Sequence, residues 1–179
     1  QALTKILREL TEKVQHHWHE VQKTIDTTAF LDTYLARGRY SVFHKNRRPD
    51  ISVETLKVNT AKHPLLGKDA VPISVELSEN TKTLIITGPN TGGKTVTLKT
   101  VGLLACMHQF AMHIPVGDGT ELPVFDGIFA DIGDEQSLEQ SLSTFSGHMV
   151  TISSILESAT ASSLILLDEL GSGTDPEEV

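Results

Sequence analysis

Eight consecutive residues carry the clearest chemistry in the chain. Gly88-Pro89-Asn90-Thr91-Gly92-Gly93-Lys94-Thr95 fits G-x-x-x-x-G-K-[ST] at each fixed position. Gly88, Gly92 and Gly93 let backbone N–H groups turn toward phosphate oxygens with no Cβ in the way. Lys94 is placed to reach β- and γ-phosphates, and the Thr95 hydroxyl to ligate Mg²⁺. Further along, Asp168-Glu169 follow the apolar run Leu164-Ile165-Leu166-Leu167. A carboxylate ending a buried strand beside a phosphate loop holds Mg²⁺, commonly through water, so Asp168 is the expected metal residue. Glu169, next in line, is the expected general base for an attacking water.

These groups need elements to position them. Thr83-Leu84-Ile85-Ile86-Thr87 predicts a short buried parallel strand feeding the loop. Leu98, Val101, Leu104, Ala105 and Met107 predict a helix leaving it, whose N-terminus adds partial positive charge at the phosphates. Phosphoryl transfer calls for more positive charge than one lysine and one metal, often an arginine finger. No arginine follows Arg48, so another device is needed. Ser141-Leu142-Ser143-Thr144-Phe145-Ser146-Gly147 precedes the amphipathic pattern Phe145, Met149, Ile152, Ile155 and Leu156, which places Ser143 or Thr144 at an N-cap. Two readings stand side by side: a serine-rich cap, or a helix start aimed at a second subunit's γ-phosphate.

The rest of the chain falls into two further parts. Leu3, Leu7, Leu10, Val14, His17 and Val21 form a coiled-coil-like helical stripe, and Phe30, Leu31, Tyr34 and Leu35 continue or restart it before Gly38. Such a stripe must be covered by another helix or by the core. From Pro49 to Asn80 the pattern is short strands and turns: Ile51, Val53, Leu56 and Val58 hint at alternation, and Ile73, Val75 and Leu77 show it clearly. His16 and His19 share a helical face, yet no aspartate, cysteine or further histidine is placed to complete a metal set, which favours a solvated face. Arg37, Arg39, Lys45, Arg47 and Arg48, near Tyr40 and Phe43, read as a charged helix end and linker, with phosphate contact as the other reading.

Composition narrows the class. The 179 residues carry a formal net charge of -8 and one cysteine, Cys106, which excludes an internal disulfide and multi-cysteine metal sites. Residues 1–50 hold nine Lys/Arg against six Asp/Glu, whereas residues 51–179 hold six Lys against seventeen acids. An acidic body grips polyanions poorly, so any nucleic-acid grip is expected elsewhere. Neither a membrane span nor a leader pattern is evident, and the expected location is the cytoplasm.

Residues 88–100, 129–137, 142–149 and 168–178 together resemble the MutS family. The likeness is strongest to its second bacterial branch, paralogues without mismatch-recognition domains that end in a small MutS-related nuclease domain. Where the mismatch-repair branch usually reads Ser-Thr after the loop lysine, this chain reads Thr95-Val96. Where that branch reads Ser-Thr-Phe-Met-Val-Glu-Met, this chain reads Ser143-Thr144-Phe145-Ser146-Gly147-His148-Met149.

The resemblance implies an α/β fold with a P-loop, ABC-class ATPase core that uses ATP/ADP and Mg²⁺ and forms a homodimer through its nucleotide sites. It puts Asn90 near the γ-phosphate, Ser143 on the serine facing the partner's nucleotide, and Gly171 to Asp175 on the loop crossing the dimer interface. The segment from His63-Pro64 to Val71 falls where the family approaches the base, without the usual stacking aromatic. Expected boundaries are 1–48 for the end of a helical lever or clamp and 49–179 for a C-terminally incomplete ATPase domain with a small β-rich subdomain. A switch histidine that senses the γ-phosphate would lie further on, so the piece alone is expected to hydrolyse slowly. The branch is associated with branched DNA, control of recombination, endonuclease action and rRNA on stalled ribosomes. A nucleotide-gated scaffold that needs no turnover is the alternative; a small P-loop kinase or a transporter ATPase is less well supported.

Overall fold

The computed structural model describes the backbone of residues 2–89, 93–133 and 141–168, and their side chains apart from residues 141–146. The chain divides into two units, Gln1–Phe43 and His44–Val179. In the first, α1 (Ala2–His16) and α2 (Trp18–His44) meet at His17. His17 N donates to Val14 O, and Val21 N donates to His17 O, so backbone bonding continues through the joint. Threonines are ordinarily indifferent in helices, yet Thr24, Thr27, Thr28 and Thr33 return their hydroxyls to carbonyls four residues back. Gly38 does not end the second helix, which runs on to His44. It stops where Lys45 takes a left-handed φ of 54°. Leu3, Leu7, Leu10 and Val14 remain exposed along α1.

The second unit contains two sheets. β1 (Asp50–Ile51), β2 (Leu56–Ala61), β3 (Ile73–Leu77) and β4 (Glu121–Leu122) form one, in the order β1-β4-β2-β3. β2 is antiparallel to both β3 and β4, and β1 is parallel to β4. Leu56, Val58 and Ala61 are buried, and an irregularity between Val58 and Ala61 lets the last of them keep the inner face. On the opposite strand Ser74 and Glu76 face out, and Glu76 lies 3.6 Å from its cross-strand neighbour Lys57.

The smaller sheet pairs β5 (Ile128–Asp131) with β6 (Leu164–Leu167) in parallel, Ile128 opposite Leu164 and Asp131 opposite Leu167. Parallel neighbours need a crossover, and α4 (Ser141–Ser158) lies between them in sequence. α3 (Lys94–Gln109) packs on both strands and α4 on β5. Val101, Leu104, Ala105 and Met107 of α3 are buried, as are Leu164, Leu166 and Ile155. Gly102 brings α3 close to the sheet: a Cβ there would stand 2.5 Å from Leu166 Cδ1.

Two expectations are corrected. Residues 83–87 form no strand, and Leu84 and Ile85 are exposed, Ile85 by 80%. An apolar run favours burial but specifies no ladder partner, and among the described residues β6 pairs only with β5. Helix α4 starts at Ser141, so Ser143 and Thr144 lie in its first turn and not at a cap. The run 141–144 offers a hydroxyl at three of four positions, so the serines alone do not mark the start. Among the described residues, no helix is long and apolar enough to cross a membrane.

Candidate nucleotide site

The loop enters at Gly88, whose φ of 142° suits glycine, and leaves at Gly93, whose φ is 78°. From Gly93, α3 begins at once: Thr97 N donates to Gly93 O at 2.8 Å, and the Thr97 hydroxyl joins the same carbonyl. The N-cap residue, Gly93, has no side chain with which to cap the first turn. Its N–H groups, with the helix's partial positive charge, are thus presented toward the loop. Lys94 Nζ donates to Gly88 O at 2.5 Å, drawing the ammonium across the loop it follows.

The opposite wall comes from β6. Asp168 directly follows this strand, and its N donates to Asp131 O at 2.9 Å, extending the parallel ladder by one bond. That bond fixes where the carboxylate leaves the sheet. Asp168 Oδ2 accepts the Thr95 hydroxyl at 2.5 Å, so the first turn of α3 and the end of β6 meet through these two side chains. Two hard oxygen donors side by side, one anionic, are the donor type that Mg²⁺ takes. Thr95 and Asp168 therefore fit the metal that the loop motif calls for.

Of the other expected residues, Pro89 is exposed beside Gly88, and Val96 is half exposed on α3. Val71 lies in a segment without regular structure and is 78% exposed. Asn90, Thr91, Gly92, Glu169 and Gly171 to Asp175 lie outside the described residues, as does the side chain of Ser143. The histidine cluster belongs to the helical unit, where His17 Nδ1 pairs with Glu20 Oε2 at 3.1 Å.

Residues 84–178 match the family described as MutS domain V. The chain belongs to the MutS family. Its branch follows from its relatives. It is 49% identical over 99% of its length to Endonuclease MutS2 of Bacillus velezensis. It is 48% identical over 98% to the protein of that name from Alkaliphilus metalliredigens, and 45% identical over 99% to that from Halothermothrix orenii. This is a MutS2-type paralogue. The chain spans 23% of the length of each of these three relatives.

One further pair lies in the segments 129–137 and 142–149, where the sequence had assigned it no role. His148 Nδ1 stands 2.9 Å from both carboxylate oxygens of Asp131. Asp131 ends β5 and His148 lies on α4. For His148 alone, its inward position was present in the spacing. His148, Ile152 and Ile155 recur at i, i+4 and i+7, and they are the positions from 147 to 158 that are not exposed. Of the expected stripe, Ile152 and Ile155 do face inward, Met149 and Leu156 are exposed, and the side chain of Phe145 lies outside the described residues.

Proposed function

We propose that this chain is the ATP-binding and ATP-hydrolysing dimerisation core of a MutS-type DNA-binding protein. The contact between Thr95 and Asp168 carries the reading, because it joins two motifs remote in sequence at the point where a nucleotide-bound metal would sit. On this reading the ATPase domain is built on a P-loop core of the ABC class. Residues 1–48 would be the end of a lever and 49–179 the ATPase domain. Loop N–H groups and the start of α3 bind the phosphates, and Lys94 leaves Gly88 O for the β- and γ-phosphate oxygens. Thr95 and Asp168 would hold Mg²⁺, which when bound offsets charge developing on the transferred phosphoryl group. Glu169 takes a proton from the attacking water.

Residues 51–179 hold no arginine to meet the transition-state charge, which supports a donor from a second copy. Ser143, in the first turn of α4, is that donor in the proposed homodimer. The proposed setting is the cytoplasm, with branched DNA and stalled ribosomes as targets. The acidic body leaves gripping of these polyanions to other parts of the protein. The endonuclease action in the relatives' name would likewise belong to parts that this chain does not cover.

Turnover by a full-length protein carrying this chain tests the proposal. Lys94→Ala should abolish ATP binding. Glu169→Gln should keep it and lower hydrolysis by about a hundredfold or more. Wild-type turnover in both variants would refute the assignment.

A further inference from the structure

Helix α4 meets β5 along a narrow face. Ile155 is buried and Ile152 half-buried, whereas the residues flanking them are exposed. One turn toward the N-terminus from Ile152 the stripe should continue with an apolar residue, and the sequence supplies His148. Its side chain keeps 29% of its exposure, and that of its partner Asp131 keeps 12%. A carboxylate only accepts, so Nδ1 carries the proton and shares it between the two oxygens at 2.9 Å each. Gly133 makes room for the ring, since a Cβ there would stand 3.3 Å from His148 Cε1.

Stability alone does not account for this choice. A part-buried ion pair adds little over a well-packed apolar residue, because desolvation offsets most of the attraction. One proton shared between two oxygens does something that a leucine does not: it favours one rotation and one height of α4 on β5. Asp131 is also the residue whose backbone O accepts from Asp168 N at 2.9 Å. Through its backbone it holds the end of β6, and through its side chain it holds α4. Ser143 lies five residues before His148, about 7–8 Å along the helix axis.

We infer that Asp131 and His148 are a positioning pair that sets the register of α4 against the end of β5 and β6, and so fixes the turn bearing Ser143 relative to Asp168 for ATP turnover. The inference rests on the nucleotide-site reading above. Neither side chain needs to touch nucleotide. Misplacing a catalytic group by about 1 Å can cost as much as a hundredfold in rate, so a loosened α4 should register in kcat before it registers in binding.

The test uses a full-length protein carrying this chain. His148→Leu preserves bulk and removes the bonds; Asp131→Asn keeps shape and removes the charge. Each should lower kcat by about tenfold or more while KM for ATP moves by less than about threefold. Amide hydrogen exchange in residues 141–147 should rise without nucleotide, and the melting temperature should hold. Exchanging the two residues, Asp131→His with His148→Asp, should recover a large part of kcat. Wild-type kcat in both single variants overturns the inference. So does a loss that merely follows the folded fraction, or no recovery on exchange. Lys94→Ala measured alongside separates the two claims. If it binds and turns over ATP normally, the nucleotide reading itself fails; if it is dead while His148→Leu is normal, only the positioning pair fails.

Discussion

Thr95 and Asp168 reach each other because each is held by backbone geometry that leaves little choice. Thr95 sits in the first turn of a helix that starts at a left-handed glycine, and Asp168 is tied by its N–H to Asp131 O. The glycine matters as much as the side chains. Gly93 has φ 78°, where an L-residue costs about 1–2 kcal/mol, so Gly93→Ala should lower unfolding free energy by about that amount. Denaturant unfolding checks this; an unchanged midpoint would mean that the turn relaxes freely. At this scale much of the candidate site was legible as a proposal, because a phosphate loop demands particular residue types at fixed spacing. Lys94, Thr95 and Asp168 could each be named from the motif and from the acid after an apolar run. Asp131 and His148 could not, since an aspartate and a histidine far apart in sequence carry no fixed spacing and become a pair only once β5 and α4 are docked.

Elements were legible where a short-range pattern decides them. The alternation of Ile73, Val75 and Leu77 marks β3, and the three residues are more shielded than Ser74 and Glu76 between them. Strand β4 has two residues, and its parallel partner β1 lies far back in the chain, so no local pattern announces it. The run 83–87 illustrates the converse: strong apolarity without a ladder among the described residues. On α4 the expected Ile152 and Ile155 face inward, whereas Met149 and Leu156 do not, and a polar histidine takes the inward position one turn before Ile152. The last turn of α3 holds another inward histidine. Burial pushes the pKa of His108 below its ordinary value, a backbone hydrogen bond involving Leu122 partly opposes this, and Nε2 is buried without a partner among the described residues. The native chain thus takes up this proton less readily than the unfolded chain. Its contribution is intact above the ordinary histidine value of about 6.5 and is lost as pH falls from there through the lowered native value. Melting temperature should therefore fall less between pH 7.5 and pH 5 in His108→Gln than in the wild type. An identical pH slope in the two would remove His108 from the account.

At the scale of the molecule, the charge distribution and the proposed nucleotide chemistry point the same way. The segment after residue 50 is acidic and free of arginine, which suits a nucleotide core whose second cationic or hydroxyl donor arrives from another copy. The proposed homodimer should accordingly be linked to nucleotide. Sedimentation of the full-length protein with a non-hydrolysable ATP analogue and Mg²⁺ should shift toward tighter dimers than with ADP, and Ser143→Ala should weaken that shift. Equal association in both nucleotides would deprive Ser143 of its place opposite the γ-phosphate. The central claim is that Thr95 and Asp168 together make this a metal-dependent nucleotide site, and calorimetric titration of the same ATP analogue tests it most directly. With Mg²⁺ present, the wild type should bind about tenfold or more tightly than either Thr95→Ala or Asp168→Asn, and with EDTA the three should converge. Equal affinity of all three proteins in Mg²⁺ would contradict the account.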